Sequence, residues 1–184
     1  LEDVLQNVRG KLTGILNGLD TKEFNPETDP IIYQKYSFSN SWSARRENKQ
    51  NLQQLFFLDV DPSAFLFAIS GRLCEQKGWE IMLEVIPKLL QRRKDVQLII
   101  LGSGDNRYRE HIMELKKLYP KQIGLHLRSD FRLPRKIFSG VDSMLMPSTF
   151  EPGGIVALEA LRYGAVPLIR RTGGLNDIIT DFNP

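Results

Sequence analysis

The chain has 184 residues, 41% of them hydrophobic, and a formal net charge of +3, enough apolar material for a sizeable core in one domain or a large part of one. Its one cysteine, Cys74, excludes an internal disulfide, no apolar run approaches the ~20 residues that cross a bilayer, and the basic residues are dispersed among acids rather than clustered as a nucleic-acid face requires. These features argue against a membrane protein and a nucleic-acid binder.

In chain order, "LEDVLQNVR" reads as a short helix and "KLTGILNGLD" as a strand closed by an Asn-Gly turn. The opening "LEDVLQNVRG" lacks the basic start and continuous apolar core of a signal peptide. "NPETDP" is a loop, and "WSARRENKQNLQQLFFLD" an amphipathic helix. We take residues 1–63 as an interdomain segment and leading helix, and residues 64–184 as the main domain.

From Ala64 onward the pattern alternates. Strands "AFLFAIS", "VQLIILG", "IGLHLR", "DSMLMPS" and "AVPLIRR" are separated by the helical stretches "GWEIMLEVIPKLLQRRKD", "RYREHIMELKKLY", "PRKIFSG" and "GGIVALEALRYG", and "GGLNDIITD" starts another helix. Pro87 interrupts the first of these helices. Short apolar strands alternating with helices imply a parallel sheet covered on both faces, hence a doubly wound, Rossmann-like α/β domain. In such a sheet ligands sit beyond the carboxyl ends of the strands. That rule selects Gly71 to Gly78, Gly102 to Asn106, Ser148 to Gly154, and Arg170 to Gly174.

At the first place, "SGRLCEQKG" sets Arg72 and Lys77 around one loop. A guanidinium fork and an ammonium suit a diphosphate, while the bland reading makes both exposed loop cations. "ILGSGDN" lacks the third glycine of a dinucleotide fingerprint and is read as a tight turn without chemistry. In "TFEPGGIVALEALRY", Glu151 stands before Gly153, Gly154 and Ile155 at a helix start, and Glu159 lies eight residues on. At helical spacing that puts the two acids ~12 Å apart, too far for a pair acting on one bond. Glu159 alone reads as a solvated helix carboxylate, and Glu151 as a favourable charge at a helix end. In "RTGGLND", Thr172 is a candidate cap, and Gly173 and Gly174 admit either an anion or a plain turn. Neither His111 nor His126 has a neighbour at metal-ligand spacing, and Trp42 and Trp79 read as packing residues.

Taken together, "KLTGILNGLDTKEFNPETD", "GRLCEQKG", "LMPSTFEPGGIVALEALRYGAVPLIRRTGGLND" and, more loosely, "ENKQNLQQLFFLD" resemble the C-terminal part of bacterial glycogen synthases and plant-type starch synthases, in the family's order and across nearly the whole chain. The resemblance implies the nucleotide-sugar half of a two-domain GT-B-type transferase that moves glucose from ADP-glucose to the non-reducing end of an α-1,4-glucan with retention. It implies that Arg72 and Lys77 hold the diphosphate, that Glu151 orients the glucose hydroxyls, and that Glu159 holds the ribose. Asn17 would lie near the donor glucose, Gly153 to Ile155 would approach sugar and phosphates, and Thr172, Gly173 and Gly174, in the stretch that matches the family's second glycine pair, would complete the substrate-binding set. No cofactor or metal is implied, since ADP-glucose is a substrate.

The chain departs from the family at Thr149, where Arg is common, and at Gly153, where Cys is common. The aromatic that packs on adenine is not evident in "LRSDFRLPRK", which leaves UDP- and GDP-sugars open beside ADP-glucose. A non-catalytic glucan-binding module is the reading from another class. The chain begins without Met and stops after a helix-like stretch, so we expect a piece of a longer protein, inactive without its N-terminal acceptor domain. A bacterial cytoplasm is the expected setting, with a plastid as the alternative.

Overall fold

The computed structural model describes residues 2–182. After a short helix α1 (Glu2–Asn7), residues 12–20 carry no regular structure, so the strand expected from "KLTGILNGLD" is not formed. Its apolar residues, Leu12, Ile15, Leu16 and Leu19, do not alternate as a half-buried strand requires, no strand of the sheet pairs with them, and Ile15 is left 90% exposed. A stretch of turns and bends then leads to α2 (Ser41–Leu55). Phe57, with φ 54, turns the chain out of that helix.

The rest is a regular alternation. It runs β1 (Phe65–Ser70), α3 (Trp79–Arg92), β2 (Val96–Leu101), α4 (Asn106–Leu118), β3 (Ile123–His126), α5 (Leu133–Gly140), β4 (Ser143–Met146), α6 (Ile155–Arg162), β5 (Val166–Ile169) and α7 (Gly173–Ile178). α3 passes through Pro87 without breaking. The five strands form one parallel sheet in the order β3-β2-β1-β4-β5. β2 is buried along its whole length, which explains its unbroken apolar run.

Two main core clusters cover the sheet. Trp79, Ile86, Leu90 and Ile112 of α3 and α4 pack with Ile69, Ile100 and Ile123. On the other side α2 and α5 bring Leu52, Ile137 and Phe138 against Leu66, Ile99 and Met144, together with Ile32 and Tyr36 from before α2. Each such side chain contributes about 1.5–3 kcal/mol on burial. Trp79 is a core residue as expected, at 1% exposure, but Trp42 is 92% exposed. It borders a groove with Phe65, Phe67, Val166 and Leu168, at the amino ends of the strands and therefore away from the ligand-binding end.

The strand order fixes where a ligand belongs. The chain moves outward from β1 to β3, then returns across β1 to lay down β4. Between β1 and β4 the direction of winding reverses, and the loops leaving their carboxyl ends diverge around a crevice. Those loops are residues 71–78 and 147–154.

Candidate functional site

The loop after β1 begins at Gly71 and closes with a 3-10 turn, Glu75–Lys77, capped by Gly78 in the left-handed region at φ 73. A Cβ on Gly78 would stand 2.1 Å from the Pro147 carbonyl oxygen. Glycine therefore lets the β1 loop touch the backbone that follows β4. Across this contact Thr149 N–H donates to the Gln76 carbonyl at 2.8 Å, and Gln76 Nε2 donates to the Phe150 carbonyl at 3.1 Å. The two loops are stitched together by backbone and amide groups before any charge is counted.

Within that seam Lys77 Nζ reaches Glu151 Oε2 at 2.5 Å. The pair is sheltered, with side-chain exposures of 23% and 12%. The Lys77 stem runs past Gly71, whose missing Cβ would lie 3.7 Å from it. Ser148, 1% exposed, donates its hydroxyl to the same Glu151 oxygen at 3.1 Å. Arg72 stands one step back. It is exposed, its guanidinium donates to Gln76 Oε1 at 3.1 Å, and its carbonyl accepts from Trp79 Nε1.

The turn before α7 closes the third side. Gly173, at φ 47, has no room for a Cβ, which would meet the Glu151 carbonyl oxygen at 2.4 Å. Gly174 N–H donates to that carbonyl at 2.8 Å. This amide is thus taken, and residues 172–174 hold the Glu151 backbone rather than offering Gly174 to an anion. Thr172 is not a side-chain cap either, since its hydroxyl donates to the Thr149 carbonyl at 3.3 Å.

Gly154, in the left-handed region at φ 61, starts α6 at Ile155. The α6 N-terminus, with its positive dipole end, therefore follows directly on the β4 loop; the Ala157 N–H donates to the Gly154 carbonyl at 2.9 Å, and the Ile155 and Val156 amides have no partner within the helix. Glu151 lies outside the helix, so the helical arithmetic linking it to Glu159 does not apply. Asn17 does reach this turn: its Nδ2 lies 2.6 Å from where a Gly153 Cβ would be.

Glu159 sits half-buried on α6. Burial pushes its carboxyl above the ordinary range, the Arg135 charge draws it back, and Glu23 pushes it up further. Arg135 itself is anchored: it pairs with Glu23, lies 3.8 Å from the buried Asp29, and stacks 4.4 Å over the Phe24 ring. Glu159 is therefore a carboxylate kept short of solvent at the edge of an ionic cluster, not a solvated helix acid.

The structure thus brings together Lys77, Glu151, Gly153, Gly154, Ile155, Gly173, Gly174 and Asn17. It sets Arg72 behind Gln76, and Thr172 against Thr149. Sequence reasoning gave no role to Gln76 or Ser148. Ser148 is a polar residue just past an apolar strand and Gln76 a polar residue in a loop turn, and sequence alone does not separate either from ordinary loop polarity.

This chain matches the family described as glycosyl transferases group 1 over residues 52–183. It is 42% identical to glycogen synthase 2 of Nitrosococcus oceani, over 98% of this chain and 36% of that protein. It is 43% identical to the glycogen synthase of Clostridium novyi, over the whole chain and 38% of that protein. The catalytic domain of starch synthase IV from Arabidopsis thaliana, solved with ADP and acarbose, superposes with a TM-score of 0.89 at 30% identity, over 99% of this chain and 37% of that one. The chain therefore spans little more than a third of the length of these relatives.

Proposed function

The chain belongs to the group 1 glycosyl transferases, and from that premise we propose that its parent protein is a glycogen or starch synthase. It transfers glucose from ADP-glucose to the non-reducing end of an α-1,4-glucan, with retention. One observation carries the reading: a cation from the β1 loop and a carboxylate from the β4 loop meet at 2.5 Å in the crevice where the sheet reverses its winding. The names of the similar synthases and the ADP on the starch synthase neighbour support the choice of donor and acceptor.

The chemistry follows from where charge develops. Breaking the bond between the sugar C1 and the diphosphate oxygen leaves negative charge on the diphosphate. Groups that meet this charge more strongly in the transition state than in the ground state accelerate the step. On this reading Lys77 does so, helped by the α6 N-terminus and by Arg72, which stands behind Gln76. Glu151 takes the glucose hydroxyls, Asn17 and the backbone of Gly153 to Ile155 line the sugar, and Glu159 takes the ribose. On this reading the positive charge comes from side chains and helix amides, and no metal or cofactor takes part. We place the enzyme in a bacterial cytoplasm because the similar synthases named first come from bacteria.

Lys77 pairs with Glu151, whose same oxygen also accepts from Ser148. The donor replaces that pairing with two new ones, phosphate on Lys77 and sugar hydroxyl on Glu151. The test is a donor panel on the full-length protein with glycogen as acceptor. Transfer from ADP-glucose supports the proposal, and transfer confined to a UDP- or GDP-sugar, or glucan binding with no transfer at all, refutes it.

A further inference from the structure

We propose that Ser148 is a positioning residue that fixes the Glu151 carboxylate by one oxygen, so that the other faces the sugar of the donor. The inference rests on the nucleotide-sugar reading above and names a residue that reading does not need.

The two hydrogen bonds that the structure gives the Glu151 carboxylate both fall on Oε2, one from Lys77 and one from Ser148. Oε1 has none. It is nevertheless not a buried orphan, because the one buried side-chain polar atom without a partner among the described residues is Gln53 Oε1. Glu151 Oε1 is therefore not fully sealed, on a side chain 12% exposed, and an acceptor with free lone pairs suits the hydroxyl donors of a hexose.

The two partners of Oε2 differ in what happens when the donor arrives. Lys77 is a cation on a flexible stem and is drawn to the diphosphate. Ser148 cannot follow. It is 1% exposed, sits two residues beyond the end of β4, and its neighbour Thr149 is held by its N–H on the Gln76 carbonyl. When Lys77 changes partner, the serine hydroxyl becomes the one side-chain tether left on the carboxylate. Without it, Glu151 is free to rotate or to follow Lys77, and the sugar loses its orientation while the diphosphate keeps its cation. The consequence is a split between turnover and nucleotide affinity that a general packing role would not produce.

The experiment uses the full-length protein, with ADP binding followed by calorimetry and glucose transfer from ADP-glucose to glycogen followed by rate. In Ser148→Ala, kcat should fall about 10- to 100-fold, the loss expected for a hydrogen bond to a charged group. The Kd for ADP should stay within about twofold, and Ser148→Thr, which retains the hydroxyl, should recover most of the turnover. In a Glu151→Gln background, Ser148→Ala should change kcat by less than about twofold, because its effect acts through that carboxylate. Turnover unchanged in Ser148→Ala, turnover and ADP affinity falling together, or a full-sized effect persisting in the Glu151→Gln background would each overturn the proposal. A wild-type protein that neither binds ADP nor transfers glucose overturns the functional reading as well. One that does both while Ser148→Ala is silent overturns only the positioning role.

Discussion

Replacing Glu151 with Gln keeps the size and shape of the side chain and removes its charge, which exposes the coupling between the two halves of the site. Lys77 Nζ rests on Glu151 Oε2 at 2.5 Å, and on the proposed function a diphosphate must compete for it. The side chains are 23% and 12% exposed, between a surface pair worth about 0–1 kcal/mol and a fully buried one whose breaking costs about 3–5 kcal/mol. A competition cost of about 1–2 kcal/mol follows, which corresponds to about a 5- to 30-fold change in affinity. Removing the carboxylate also removes its repulsion of the diphosphate, which acts in the same direction. Glu151→Gln should therefore tighten ADP binding by at least about fivefold while it lowers glucose transfer. Calorimetric titration of ADP into wild-type and variant protein measures the first effect, and a transfer assay the second. Opposite signs on one substitution cannot come from damage to the fold. Equal or weaker ADP binding in the variant would show that Lys77 holds carboxylate and phosphate together, and the exchange argument would fail.

Other substitutions probe the framework. Gly173→Ala adds a Cβ 2.4 Å from the Glu151 carbonyl oxygen at a φ of 47; it should cost about 1–3 kcal/mol of stability and lower turnover more than tenfold, and wild-type values in both melting and transfer assays would contradict the contact. Tyr163→Phe removes the hydroxyl that donates to Asp29, which is 2% exposed. With Arg135 at 3.8 Å and the Ile31 N–H as remaining partners, urea denaturation should show a loss of about 1–3 kcal/mol, and a change below about 0.5 kcal/mol would count against a tightly held carboxylate. Glu159 has its carboxyl raised from 4.5, chiefly by burial, so the native state retains its proton longer than the unfolded chain, and stability is lost as pH rises through that range. Glu159→Gln should accordingly melt higher than wild type at pH 7, with the advantage fading below pH ~4, and an advantage equal at both pH values would rule out the burial account.

Much of the domain was legible because its signals are local. Unbroken apolar runs such as "VQLIIL" and helical spacing such as Met82, Ile86 and Leu90 need no knowledge of distant residues. The strand expected in "KLTGILNGLD" failed for the complementary reason: its apolar residues, at 12, 15, 16 and 19, lack the period of two, and a strand also needs a neighbour to pair with, which none of the five strands of the sheet provides. Trp42 failed similarly. Its side chain borders a groove at the amino ends of β1 and β5, and nothing local distinguishes that position from a core position on the same helix.

The glycines show where site and sequence diverge. Gly78, Gly173 and Gly174 resemble turn or anion signals in the sequence, yet each is a point where two backbones touch: Gly78 at the Pro147 carbonyl, Gly173 at that of Glu151, Gly174 at that of Pro152. With Cβ separations of 2.1, 2.4 and 2.5 Å, no other residue fits unless the loops part. The crevice is therefore set by main-chain contact between three loops that are distant in sequence. Its side chains, Lys77 above all, are free to change partners without altering the frame. This accounts for a sheltered ion pair at the centre of the candidate site. The frame brings the cation and the acid together at 2.5 Å, with the Ser148 hydroxyl on the same acid oxygen, and on the proposed function that meeting point is where a donor's phosphate and sugar join.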